Sequence, residues 1–277
     1  MAIIDLTRED HSYFFGLFQT DGHLQGGTRQ RGKATIELAV KDIDLLLQLP
    51  HLFDGVKSTV STRTRTTNFA ATYTSATWRM CNLAFRRELE LSGVPVGRKS
   101  KEVSPPSRQF HQRGYFRGLL DGDGSVGFTR AGLPFIGFVT ASSSLADYFC
   151  STVKNITGAE RTAKRNARDD IFSLMVASEP ASRLAEWAYP QGCLALNRKS
   201  TAAAAVAAWV RPQGMRARPV FGRQPWTLEE DAVVASTKVK EAAMLLGRTE
   251  SAVNVRRWRL RNAATSAPAT DGMEQLF

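Results

Sequence analysis

Residues 13–22 read Tyr13-Phe-Phe-Gly-Leu-Phe-Gln-Thr-Asp-Gly22, and residues 115–124 read Tyr115-Phe-Arg-Gly-Leu-Leu-Asp-Gly-Asp-Gly124. One frame fits both: Tyr-Phe-x-Gly-Leu-apolar-x-small-Asp-Gly. A second correspondence follows each copy, Gly97-Arg98-Lys99-Ser100 against Asn197-Arg198-Lys199-Ser200. Asp123 lies 102 residues after Asp21, and Lys199 lies 100 after Lys99. Two motifs repeating at nearly one offset indicate tandem copies of one structural unit.

Each copy has the same grammar between these anchors. The apolar segment running into Asp-Gly predicts a helix, over residues 14–20 in the first copy. Residues 34–40, 58–65 and 70–78 then alternate, rich in Thr, Val, Tyr and Trp, as strands do. Helices are expected over 42–52 and 82–91. In the second copy, strands are expected at 126–128, 134–140, 160–168 and 171–177, with helices at 144–156 and from Ala181 and Lys199. Each half is thus an αββαββα unit, and the fold class is α+β with antiparallel sheets. The first repeat spans 1–104 and the second 105–211.

The repeated helix carries its own chemistry. Gly16 and Thr20 are four residues apart and share a face, as do Gly118 and Gly122. Glycine costs about 1 kcal/mol in a helix interior, so its recurrence indicates close helix packing. Two helices packed this way bring their ends together. Each ends in Asp-Gly, the glycine read as a left-handed cap. The aspartate is electrostatically misplaced, because helix C-termini favour cations. Two such ends side by side repel, and carboxylates beside unpaired carbonyls form an all-oxygen site that suits a hard divalent cation. An Asp-Gly turn alone accounts for either copy taken singly; two aligned copies favour the metal site.

The composition agrees with a polyanion partner. The 277 residues carry a net charge of +11, and nucleic acid is the leading candidate. Cys81, Cys150 and Cys193 are odd in number and form no CxxC pair, which argues against a disulfide framework or a zinc site. No apolar run approaches the roughly 18 residues that span a bilayer. The first residues lack a charged-then-apolar leader, so an intracellular location is expected, cytoplasmic or nucleoid-associated.

The two motifs resemble those of the LAGLIDADG homing endonucleases in their single-chain, two-repeat form, over roughly residues 7–210. Gly118-Leu-Leu-Asp-Gly-Asp-Gly124 is highly specific; Gly16-Leu-Phe-Gln-Thr-Asp-Gly22 is degenerate. The resemblance implies a pseudo-twofold pair of motif helices, with Asp21 and Asp123 binding Mg²⁺ or Mn²⁺ and Thr20 and Gly122 lending carbonyls. It assigns Lys99 and Lys199 to the cleavage centre, where they stabilise developing charge or polarise water. The earlier acid of the motif, Asp121 in one copy and Gln19 in the other, is not usually catalytic. The family's polar residue near the end of the second strand has no counterpart at Val40 or Ala141.

The same resemblance presents an antiparallel sheet from each half to a DNA major groove. Gln25, Arg29, Arg31, Lys33, Glu37, Arg63, Arg65 and Arg79 belong to the first half's candidate surface. Arg161, Lys164, Arg165 and Arg168 belong to the second. Arginine serves base readout and phosphate grip alike, and sequence does not separate the two.

Beyond a Pro-, Gly- and Arg-bearing linker at 212–224, Thr227 and Glu230 form a capping box. Helices are expected to Ser236, over 239–246 and over 250–261, a helix-turn-helix pattern across 225–262. Trp226-Thr-Leu-Glu-Glu-Asp231 and Ala242-Ala-Met-Leu-Leu-Gly-Arg-Thr249 resemble Myb/SANT domains, although only Trp226 and Trp258 of the three repeat tryptophans are kept. Asn254, Arg256, Arg257, Arg259 and Arg261 are the expected DNA contacts; a protein-binding bundle is the plainer alternative. Residues 263–277 read as a disordered tail. The expectation is a monomeric, site-specific endonuclease making a double-strand break at a long, weakly palindromic or asymmetric site. A non-cleaving transcriptional regulator on the same scaffold is the alternative, and a splicing cofactor a weaker one.

Overall fold

The computed structural model describes residues 3–25, 32–67, 70–97, 99–215 and 226–265. The chain divides into two units, Met1–Gln213 and Gly214–Phe277. In the first, the anticipated order appears twice. Helix α1 (Glu9–Asp21) leads directly into β1 (Gly22–Leu24), followed by β2 (Lys33–Ala39), α2 (Ile43–Gln48), β3 (Ser58–Thr67), β4 (Ala70–Cys81) and α3 (Leu83–Leu91). The second pass runs α4 (Gln112–Asp123), β5 (Gly124–Phe128), β6 (Pro134–Thr140), α5 (Ser143–Thr157), β7 (Arg165–Asn166), β8 (Ile171–Ala177), α6 (Glu179–Ala188) and α7 (Asn197–Ala207). The sheets are antiparallel, with strand orders β1-β2-β4-β3 and β5-β6-β8-β7. The fold is therefore α+β, one four-stranded sheet per repeat.

Helices α1 and α4 pack face to face through small residues. A β-carbon on Gly118 would lie 2.7 Å from the Leu17 amide nitrogen and closer still to the Tyr13 carbonyl. One on Gly16 would collide with the Tyr115 carbonyl, and one on Gly114 with that of Glu9. The contacts advance together along both helices (Gly114 with Glu9, Gly118 with Tyr13, Gly122 with Thr20), so the helices run parallel. Phe14 and Phe116 carry equivalent loads on their outer sides. Phe14 packs against Phe53, Trp78 and Phe85, and Phe116 against Phe149 and Trp187. The two halves share one continuous core that runs through the helix pair, with Phe15 against Tyr115 across it.

Three local expectations are corrected. The stretch 42–52 is not one helix: 3₁₀ turns at Val40–Asp42 and Leu49–His51 flank α2, which ends at Gln48 because Pro50 lacks an amide hydrogen to continue it. Within 160–168 only Arg165–Asn166 joins the sheet, while the Arg161 side chain donates to the Met175 carbonyl at 2.9 Å, the edge position a strand amide would have filled. Gly22 and Gly124 are extended rather than left-handed. Their lack of a side chain matters because the chain folds back on the last helical turn, where a β-carbon would meet the Phe18 ring at 2.5 Å or the Leu120 α-carbon at 2.7 Å.

The second unit is a bundle of α8 (Leu228–Ser236), α9 (Val239–Leu245) and α10 (Glu250–Thr265). Thr227 and Glu230 form the reciprocal capping box that opens α8. Thr249 accepts from the Ala252 amide at the start of α10. The buried centre is small, comprising Val234, Ala242, Ala243 and Val253. Among the described residues, no helix is long and apolar enough to cross a membrane. Most of the 212–224 linker, and the tail beyond Thr265, lie outside the described residues.

Candidate active site and nucleic-acid interface

The parallel packing of α1 and α4 delivers Asp21 and Asp123 to one place. A β-carbon on Gly122 would lie 2.8 Å from Asp21 Oδ2 and collide with the Thr20 side chain, so only glycine lets the two ends meet. Burial, with the negative charge of Asp123 behind it, pushes the Asp21 carboxyl up to about 6. Burial raises Asp123 as well, while Lys199 and Lys99 pull it back. The site thus concentrates negative charge that water does not fully solvate.

Lys99 and Lys199 answer the misplaced aspartates at equivalent carbonyls. Lys99 Nζ donates to the Phe18 carbonyl at 2.5 Å, and Lys199 Nζ to the Leu120 carbonyl at 2.6 Å. Phe18 and Leu120 occupy the same repeat position. Lys199 also reaches the carbonyls of Asp121 at 2.7 Å and Gly124 at 2.8 Å. Each lysine therefore caps a motif helix with the cation its C-terminus favours. Burial lowers both ammonium groups to about 8, against the attraction of the nearby aspartates. Both remain mostly protonated at neutral pH. Neither is a solvated surface lysine: Lys199 is 5% exposed.

The residues that set this geometry include several that motif reading passed over. Tyr13 donates to Asp121 across the helix interface at 2.7 Å, and Tyr115, its repeat partner, donates to Gln19 at 2.5 Å. Tyr189 and the Leu196 amide also donate to Asp121, at 2.8 and 2.7 Å. Leu196 immediately precedes α7, so Asp121 fixes the start of the helix that carries Lys199. Gln19 spends its amide hydrogens on the carbonyls of Gly93 and Ser104, at 3.2 and 2.9 Å. Arg198 pairs with Asp42 at 3.1 Å, tying α7 to the first repeat. The shared tyrosine of the repeat frame was the available signal for this crossed pair.

The two carboxylates suit a hard cation. Among the described residues, no cluster of three or more His, Cys, Asp or Glu is available to hold a metal. An ion at the paired aspartates would complete its shell with backbone, water or substrate oxygens, the way Mg²⁺ is ordinarily held. Thr20 and Gly122 sit at the helix contact beside the aspartates. The Gly122 carbonyl is 3.4 Å from Lys199 Nζ. Val40 is exposed and Ala141 half-buried, so neither supplies a polar side chain nearby.

The outward side of the first sheet follows from register. Thr35 lies opposite Arg79, and Arg79 opposite Thr59; Arg63 pairs with Ser75 and Arg65 with Tyr73. Lys33, Glu37, Arg63, Arg65 and Arg79 share the parity of these positions, while Ala34, Ile36, Trp78 and Met80 point into the core. Gln25 extends the same edge beside Lys33 and is exposed. Arg65 is held by Glu37 at 2.8 Å. Arg29 and Arg31 lie outside the described residues.

In the second half Arg161, Lys164 and Arg168 lie on the loop, and Arg165 lies on the short edge strand β7. Arg161 bonds the Met175 and Glu160 carbonyls, and Arg165 reaches Asp170 and lies over the Phe172 ring. Arg168 pairs with Asp169, and Lys164 is exposed. In the bundle, Arg256 pairs with Asp231 at 2.6 Å, and Arg257 donates to the carbonyls of Val234 and Thr237. These two brace the fold. Asn254, Arg259 and Arg261 are exposed on α10.

No family model matches the chain, and no curated protein matches it. Among solved structures it is similar to the homing endonuclease I-WcaI bound to its DNA recognition sequence, at 12% identity and TM-score 0.49, over 70% of this chain and 87% of that one. It is also similar to full-length DUF199/WhiA from Thermatoga maritima, at 12% identity and TM-score 0.43, over 95% of each chain. Mesophilic variants of the homing endonuclease I-DmoI match at 15% identity and TM-score 0.43, over 69% of this chain and 94% of that one. Likenesses of this degree leave activity to be argued from the residues.

Proposed function

We propose that the chain is a site-specific endonuclease that makes a double-strand break in duplex DNA. The observation that carries this is the meeting of Asp21 and Asp123 at the ends of two parallel helices, where each raises the demand for a counter-charge. Two carboxylates, with no third acid clustered beside them among the described residues, are a donor set that Mg²⁺ or Mn²⁺ would fit, and a divalent ion there would supply Lewis acidity and an activated water for phosphodiester hydrolysis. Asp21 and Asp123 hold it, with the Thr20 and Gly122 carbonyls at hand. Lys99 and Lys199 fix the two helix ends and place positive charge beside the scissile phosphates. The outward cations of the first sheet and the 160–168 loop grip the duplex, giving it orientation and register. The C-terminal bundle, read as a Myb-like helix-turn-helix, lengthens the footprint through Asn254, Arg259 and Arg261 on α10.

The test uses the full chain, a randomised duplex library and Mg²⁺, with cleaved sequences read out. Cutting at one long sequence is expected, abolished in Asp21→Asn and in Asp123→Asn while binding persists. Undiminished cutting by both variants overturns the site. Selective binding without cutting by the unmodified chain favours the non-cleaving regulator.

A further inference from the structure

The two sheets follow the paired aspartates symmetrically, β1 from Asp21 and β5 from Asp123, yet their outward faces differ in kind. Strands β2, β3 and β4 carry Lys33, Glu37, Arg63, Arg65 and Arg79. Strands β5, β6 and β8 contain no charged residue at all. Their register places Ser125, Gly137 and Met175 abreast, with Gly127, Phe135 and Ala177 abreast beside them and Val139 opposite Ser173. The alternate positions Ile136, Phe138, Leu174 and Val176 fill the core, so the first set faces outward. Val139 is 43% and Met175 54% exposed. Gly137 and Gly127 make room for the Ser125 hydroxyl and the Phe135 ring, which lie over them on this face. Arg161 reaches the Met175 carbonyl at the edge of this strip, from a loop that also carries the exposed Lys164 and Arg168.

An apolar floor with a basic border suits one feature of duplex DNA. The major groove offers an apolar contact only at the thymine methyl; every other distinguishing group there is a hydrogen-bond donor or acceptor. We propose that the second sheet reads a thymine-rich half of the target through methyl contacts to Val139, Met175 and Phe135, whereas the first sheet reads polar base edges through its arginines. The proposal rests on the DNA-binding reading above, and it makes the recognised site chemically asymmetric although the protein is a duplication.

The test begins with a duplex selected for binding by the full chain in Ca²⁺, and measures affinity after thymine is replaced by uracil in one half-site at a time. Removing a methyl from its contact weakens binding by about four-fold per contacted base. That loss is expected in one half only, and it should shrink in a Val139→Asn, Met175→Gln variant to what the Phe135 contact alone contributes. These replacements keep side-chain size at exposed positions, and an unchanged Tm confirms that they leave the fold intact. Arg63→Gln and Arg79→Gln should weaken binding without altering the uracil effect. Indifference to uracil in both halves of a tightly bound duplex overturns the proposal and leaves the apolar strip to a protein partner. An undiminished uracil effect in the double variant also overturns it. Failure to select any duplex refutes the DNA-binding reading itself, a separate outcome.

Discussion

If Asp21 is held against its own charge, neutralising it should stabilise the metal-free protein. Its carboxyl stands at about 6 in the folded chain against 3.8 for the ordinary side chain, by burial first and Asp123 second. At about 1.4 kcal/mol per tenfold change, ionising Asp21 costs the fold about 3 kcal/mol. The attraction of Lys199 and Lys99 is already included in that balance. A folded value above the unfolded one means the native state binds the proton more tightly. The contribution to stability is therefore fully present below pH 4 and is lost as pH rises to about 6. Asp21→Asn, which does not ionise, should show no advantage over the unmodified chain below pH 4. Its advantage should grow between pH 4 and 6 and level off near 3 kcal/mol. For a unit of this size that corresponds to a rise in Tm of roughly 6–12 °C at pH 7. Thermal unfolding of both proteins in EDTA, across pH 3.5 to 8, isolates the site, because carboxylates remote from it cancel in the difference and only Asp21 and the groups coupled to it, Asp123, Lys99 and Lys199, remain. Adding Mg²⁺ should then stabilise the unmodified chain more than the variant. An Asp21→Asn protein less stable at pH 7 in EDTA, or one whose advantage does not vary between pH 4 and 6, would refute the strain.

Gly118→Ala tests the helix contact: where an ordinary helical Gly→Ala gains about 1 kcal/mol, the clash with backbone atoms of Tyr13 and Leu17 should reverse the sign and cost about 3 kcal/mol in urea unfolding. Gln19→Glu should cost about 2–3 kcal/mol at neutral pH, since a carboxylate would face the Gly93 and Ser104 carbonyls; the loss should shrink on acidification as the new acid protonates. In the bundle, Arg259→Ala should reduce the slope of log affinity against log salt by about 1 without altering thermal stability. Arg256→Ala should instead destabilise the bundle by about 2 kcal/mol through loss of its pair with Asp231, as seen in its melting transition.

The repeat, the order of elements and the union of Asp21 with Asp123 were legible because they are matters of spacing: one offset, one face of a helix, period two in the strands. Capping at Thr227 was legible for the same reason. The break at Pro50 was visible in principle, but the surrounding leucines continue a helical pattern and masked it. The strand expected at 160–168 failed because a side chain, Arg161, took the edge carbonyl that the backbone would have used. Tyr13, Tyr189 and Arg198 escaped notice because their partners lie 108, 68 and 156 residues away. Alternation identified the outward arginines of the first sheet, yet the same rule applied to β5, β6 and β8 yields a face without charge, which a search for cations passes over.

The apparent wear of the first motif has a chemical reason. Asp121 is surrounded by donors, two tyrosine hydroxyls and a backbone amide, and a carboxylate accepts from all three. Its repeat partner Gln19 receives one hydroxyl and otherwise meets two carbonyls, which need hydrogens that aspartate lacks at neutral pH. The loops differ, so the residue that anchors them differs. The anchored consequence differs as well: Asp121 holds the start of α7 and hence Lys199 with its several carbonyl bonds, while Lys99 sits on a loop and donates to the Phe18 carbonyl. Departure from the repeat frame at position 19 is thus fitted to its surroundings, whereas identity is kept at Asp21 and Asp123, where those surroundings oppose the charge. A side chain kept against its environment in both copies is what the proposed metal role requires: a divalent cation shared with a phosphate would remove the opposition.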